Sequence, residues 1–146
     1  MTIGSGADTF TTVVGDSVVR SAQSFVAAIA AAGDTITFAN GVDVITDFTA
    51  GTSGDIFASD SITVAAIPTV FVGATVAALT ASTNFMASGT WNTSTKVFTV
   101  LATGTGADTL IIPTTAAAAQ LLVATNTAMV VLIGVVDTSL VAANFI

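Results

Sequence analysis

Two long stretches of this chain, residues 61–95 and 109–136, carry no charged side chain. Segments of that kind are hidden from water in a core, in a bilayer or against other chains. A spanning helix needs about 20 consecutive apolar residues, and neither stretch supplies them. Pro68, Gly73, Asn84, Gly89 and Asn92 interrupt the first. Pro113, Gln120 and Asn126 interrupt the second, leaving 128–136 as its longest unbroken apolar run. A run that short suits a buried strand. The expectation is therefore buried strands and no transmembrane helix.

The charge that does exist is one-sided. Nine acidic and two basic residues give a net charge of −7, and every acid is an aspartate. Arg20 and Lys96 are too few to neutralise a phosphate backbone, so nucleic acid is not an expected partner. With no His and no Cys, a Ser-His-Asp triad, a cysteine nucleophile and the ordinary zinc and haem sites are all excluded. Two aspartates remain able to form a glycosidase-like dyad, but the chain has one Trp and no Tyr to line a sugar cleft. A non-catalytic role is expected. Charged residues make up 8% of the chain, against about 25% in ordinary soluble domains. A surface so sparsely charged is expected to meet other copies of itself.

At 146 residues the chain reads as a single β-rich domain spanning 1–146. Residues 8–14, 34–39 and 42–48 read as strands separated by Gly or Asn-Gly turns. Residues 84–91 and 96–102 form a hairpin candidate joined by Asn92-Thr93-Ser94-Thr95. Residues 109–112 and 128–136 complete the strands. Helical spacing of Val18, Ala22, Phe25, Val26 and Ile29 predicts a helical insert at about 17–32, ended by Gly33. A second short helix is expected at 115–124, and a last turn around 139–143. The fold class is mainly β: a β-sandwich or β-roll-like module with two or three short helices.

The aspartates are not evenly spread. Gly4-Ser5-Gly6-Ala7-Asp8-Thr9-Phe10 and Gly104-Thr105-Gly106-Ala107-Asp108-Thr109-Leu110 are identical at five positions. Gly-x-Gly-x-Asp-x-apolar is the kernel of a calcium-binding nonapeptide, in which glycines aim carbonyls at an ion and Asp supplies charge. Here the copies are not tandem, so each Asp has a second reading, as the support of a turn before a strand. Asp34, Asp43, Asp47, Asp55 and Asp60 crowd a second region. On a regular strand Asp43 and Asp47 share a face at about 13 Å, too far apart for one ion unless a bend intervenes. Hard oxygen donors without basic partners suit Ca²⁺; solvated loop acids are the other reading. The candidate metal ligands are Asp43, Asp47, Asp34, Asp55, Asp60, Asp8 and Asp108, with no catalytic residue.

These segments carry a family resemblance. Gly6–Phe10, Gly33-Asp34-Thr35-Ile36-Thr37-Phe38, the run from Gly41 through Asp43, Asp47 and Phe48 to Gly51, and Gly54-Asp55 resemble the C-terminal regions of repeats-in-toxin (RTX) proteins. More narrowly, they resemble hemolysin-type calcium-binding and bacterial surface-layer proteins. Phe85–Trp91, Gly104–Leu110 and Leu132-Ile133-Gly134-Val135 with the end Leu140-Val141-Ala142-Ala143-Asn144-Phe145-Ile146 are similar to the same module. Residues 1–6 show neither the basic nor the apolar region of a conventional signal peptide. The resemblance implies export by type I secretion machinery, folding on meeting Ca²⁺ outside the cell, and Asp43 and Asp47 as ligands. Two functions are expected from it. One is a secreted, self-assembling surface-layer or filament subunit; the alternative is the C-terminal secretion or capping module of a larger RTX-type adhesin or enzyme.

Overall fold

Apolar residues that are continuous rather than alternating dominate the central segments, and they become strands buried on both faces. The computed structural model describes residues 4–12, 18–19, 32–40, 42–59, 68–70, 85–112 and 129–146. They form ten strands: β1 (Thr9–Thr12), β2 (Val18–Val19), β3 (Thr35–Asn40), β4 (Asp43–Ile45), β5 (Ile56–Ser59), β6 (Thr69–Val70), β7 (Phe85–Asn92), β8 (Val97–Val100), β9 (Asp108–Ile112) and β10 (Val130–Leu132). The fold is mainly β. Its large sheet has the order β2-β3-β8-β7-β9-β10-β4, with β6 also paired to β7. A separate parallel pair, β1 and β5, makes a small sheet.

The hairpin expected from 84–102 is present as β7 and β8, in antiparallel register from Asn92↔Val97 to Gly89↔Val100. Its turn is built by Asn92, whose Oδ1 accepts the N–H groups of Ser94 and Thr95, each at 3.0 Å. Asx turns of this kind are why Asn favours such positions.

Side-chain alternation assigns the two faces. On β7, Phe85 and Ala87 enter one apolar cluster with Ile36, Phe38, Phe98, Val100, Leu110, Ile112 and Val131. Met86 points the other way, into a second cluster with Ile111, Val130 and Leu132 of the large sheet and Phe10 and Phe57 of the small one. The small sheet thus packs over one face of β7, β9 and β10. Phe48, Val135, Leu140 and Phe145 close the same cluster.

Several expectations are corrected. The strand read at 42–48 stops at Ile45, because the chain bends at Thr46 and Asp47. That at 128–136 reduces to Val130–Leu132; beyond it the Gly134 N–H is drawn to a side chain rather than a ladder. β5 has no alternation to announce it. Val18–Val19, where the apolar spacing predicts a first helical turn, instead pairs with β3. Ala32, expected to end that helix, lies in an exposed turn; the rest of the 17–32 helix and all of the 115–124 helix lie outside the described residues. The final turn is two 3₁₀ turns, Asp137–Ser139 and Ala142–Asn144. Among the described residues, no helix is long and apolar enough to cross a membrane.

Candidate functional site

The two copies of Gly-x-Gly-x-Asp both form turns that lead into strands, β1 and β9, and each is tied to a distant loop by a carboxylate. Gly4 and Gly104 adopt positive φ, +99° and +74°, a region glycine enters without steric cost. The Gly4 N–H donates to Asp47 Oδ2 at 3.0 Å, and the Gly104 N–H donates to Asp137 Oδ1 at 2.8 Å. The bend that shortens β4 is therefore what carries Asp47 to the first copy.

Around the first copy the organiser is Asp55, which is 1% exposed. Its Oδ1 accepts the Asp8 N–H at 2.9 Å and its Oδ2 accepts the Thr49 N–H at 2.6 Å. The backbone completes the clamp: the Asp55 N–H donates to the Thr49 carbonyl, and the Ile56 N–H to the Asp8 carbonyl. The loop is so tight that a Cβ at Gly54 would collide with the Thr49 carbonyl oxygen. Asn144 locks the outside of this loop. Its Oδ1 accepts N–H groups from Gly51 and Val141, while its Nδ2 donates to the carbonyls of Gly51 and Asp55.

The second copy is organised by Asp108. Its Oδ2 accepts the Trp91 N–H at 2.8 Å and its Oδ1 the Gly134 N–H at 2.9 Å. Ser88 Oγ, fully buried on β7, accepts the Gly106 N–H at 2.8 Å. The Thr109 hydroxyl donates to the Val135 carbonyl. Asp108 thus ties the start of β9 to Trp91 on β7 and to Gly134 beyond β10.

The remaining candidates are dispersed. Asp43 is exposed on β4, and Asp34 is exposed ahead of β3, where its carbonyl accepts the Val100 N–H. Asp60 lies outside the described residues. Asp8 and Asp55 are brought together, but through the Asp8 backbone. Among the described residues, no three acidic side chains gather closely enough to hold a metal ion. Among the described residues, two carboxylate oxygens, Asp8 Oδ2 and Asp137 Oδ2, are buried without a hydrogen-bond partner.

Sequence reasoning passes over Asp137 and Asn144. Asp137 stands outside both acidic groupings, and its role appears only when Gly104 is placed beside it. The one available signal for Asn144 is its position as the polar residue of an otherwise apolar segment, Val141-Ala142-Ala143-Asn144-Phe145-Ile146. A polar side chain held in such a segment is buried only if its hydrogen bonds are met.

Chemically, the clamps are acceptors turned toward backbone donors. They order loops and present no nucleophile beside a base. No family model, no curated protein and no solved structure matches this chain.

Proposed function

We propose that this chain is a secreted, non-catalytic structural subunit that assembles with copies of itself into an extracellular surface layer or filament, with Ca²⁺ held at its aspartate loops. The observation that carries the reading is the placement of the carboxylates. Asp55, Asp108 and Asp137 are buried; Asp55 and Asp108 each accept two backbone N–H groups and Asp137 accepts one. A chain with few charges thus presents still fewer to water. Contact between copies relieves such a surface. The two packed sheets of the sandwich-like module give that contact strand edges to use.

The calcium part is supported by the donor set. Aspartate and backbone oxygens are the hard ligands Ca²⁺ takes, and a buried carboxylate oxygen without a donor calls for an ion or a water. Asp8 Oδ2 and Asp137 Oδ2, each at its own turn, are the oxygens that would contact such an ion; Asp55 and Asp108 already engage both oxygens with backbone donors. Export by type I machinery, implied by the family resemblance, belongs to the same proposal.

Electron microscopy of the protein in Ca²⁺ and after chelation tests it. Polymers in Ca²⁺ that disperse on chelation are expected. Uniform monomers under both conditions overturn the assembly, and polymers indifferent to chelation overturn the calcium part alone.

A further inference from the structure

The tip of the β7–β8 hairpin carries a group that its turn does not use. Asn92 Oδ1 accepts the N–H groups of Ser94 and Thr95, and the Asn92 carbonyl accepts the Lys96 N–H. From Asn92 to Lys96 every residue is exposed. Such a turn asks one thing of the side chain, an oxygen acceptor, and Asp supplies that as well as Asn. Asp is what ties the loops at residues 47, 55, 108 and 137.

Asn144 shows what an amide does where both its ends are structural. It is fully buried, and its Nδ2 donates to the carbonyls of Gly51 and Asp55. At Asn92 the turn holds Oδ1 alone. The planar amide then sets Nδ2 on the side away from those donors, on an exposed residue.

The residues that follow give this nitrogen a chemical meaning. Asn92-Thr93-Ser94 is Asn-x-Ser with no Pro between, the acceptor pattern for N-linked sugar. Asn40, Asn84, Asn126 and Asn144 are followed two places on by Val42, Met86, Ala128 and Ile146, none of which bears a hydroxyl. The turn also folds the pattern into one compact target, because the Ser94 N–H lies 3.0 Å from Asn92 Oδ1. Amide and hydroxyl-bearing residue are thus presented together at a projecting tip.

We propose that Asn92 and Ser94 form an acceptor site for N-linked sugar, the donor being a sugar carried on a diphosphate. Nδ2 attacks the anomeric carbon of the sugar. The bond from Nδ2 to that carbon forms, and the bond from the carbon to the diphosphate oxygen breaks. The diphosphate leaves with the bonding electrons, one Nδ2 proton passes to a base of the transferase, and nothing is oxidised or reduced. Oδ1 is untouched, so both hydrogen bonds of the turn survive the modification. Residues 92–96 belong to neither apolar cluster, so a bulky, hydrated sugar is accepted there without unpacking the core. The site does not depend on the assembly reading, but its sugar would keep the hairpin tip out of contacts between copies.

Mass spectrometry of the protein isolated from the cells that make it tests the site. The intact mass should exceed that of the polypeptide by a whole number of sugar residues, and fragmentation should place them on Asn92. Asn92→Asp keeps the oxygen acceptor of the turn. It should lose the sugar entirely while keeping the urea midpoint of the enzymatically deglycosylated wild type. Ser94→Ala leaves the amide and both N–H donors in place and should lower occupancy at least tenfold, whereas Ser94→Thr should retain it. An unmodified wild type overturns the proposal. So does sugar that persists in Asn92→Asp, which would sit on a Ser or Thr hydroxyl, and so does full occupancy in Ser94→Ala. Two donors share the chemistry, a nucleoside-diphosphate sugar and an oligosaccharide on a lipid diphosphate. Blocking export separates them: sugar on the retained protein identifies the first, sugar on exported protein alone the second, and either result bears out the site.

Discussion

Removing the Asp55 carboxylate is the sharpest perturbation of the loop architecture. In Asp55→Ala two backbone donors lose their acceptor, the Asp8 N–H at 2.9 Å and the Thr49 N–H at 2.6 Å. Hydrogen bonds to a charged group contribute about 1.5–3 kcal/mol each. Thr49 is exposed, so water can replace the acceptor there and reduce that loss. The Asp8 N–H faces the β1–β5 junction, where replacement is poorer. The expected destabilisation is about 3 kcal/mol, a large share of the 5–15 kcal/mol typical of a domain. Asp55→Asn keeps one acceptor but sets its amide against the other N–H, and should lose about half as much. The assay is urea unfolding followed by the fluorescence of the single Trp91, with stability taken from the midpoint at constant slope. Performing it in chelator separates two roles of the carboxylate. A clamp gives the same loss with and without Ca²⁺, whereas a metal ligand gives it only with Ca²⁺. If Asp55→Ala lies within about 0.5 kcal/mol of the wild type in chelator, as ordinary surface substitutions do, the clamp argument is refuted.

Phe57 packs between Phe10, with ring centroids 5.9 Å apart, and Phe145, at 6.5 Å: Phe57→Ala is expected to lose about 3–5 kcal/mol, and Ile146→Ala less than about 1 kcal/mol, by the same unfolding assay. Gly54→Ala should destabilise by about 2 kcal/mol or more, because its Cβ has no room beside the Thr49 carbonyl and overpacking of this kind displaces backbone. Asp108→Ala releases the N–H groups of Trp91 and Gly134. It should alter the near-ultraviolet circular dichroism of Trp91, which packs edge to face on Phe38 at 5.7 Å; an unchanged spectrum would count against the tie. Ser88→Ala leaves the Gly106 N–H without its acceptor and should lose about 1–3 kcal/mol, read from the same urea midpoint.

Much of the β character was legible because it depends on local pattern. The hairpin of β7 and β8 follows from two apolar runs and an Asn that builds its own turn. The apolar runs of β9 and β10 announce burial on both faces without saying which neighbours provide it. β5 was not legible, since Ile56-Phe57-Ala58-Ser59 is a strand only by virtue of β1, whose pairing residues precede it by 47 positions, as Thr9↔Ile56 shows. The aspartates were legible as a set. Their division into buried clamps and exposed acids was not, because burial depends on which loop folds over each one. Asp55 and Asp34 each follow a glycine, yet one is 1% exposed and the other faces water.

A mainly β chain with scarce, acidic charge, two matching glycine-aspartate motifs, and no residues for triad, thiol or ordinary zinc chemistry can be read from the residues alone. Those properties follow from composition and short-range spacing. Folding alone brings Asp47 and Asp137 to the two turns, ties Asn144 to the Asp55 loop, and sets Phe10, Phe57 and Phe145 in one register. Each of these joins residues far apart in the chain. A parallel pairing or a carboxylate clamp of that kind is chosen by the free energy of the assembled whole and has no signature in the local segment that takes part in it.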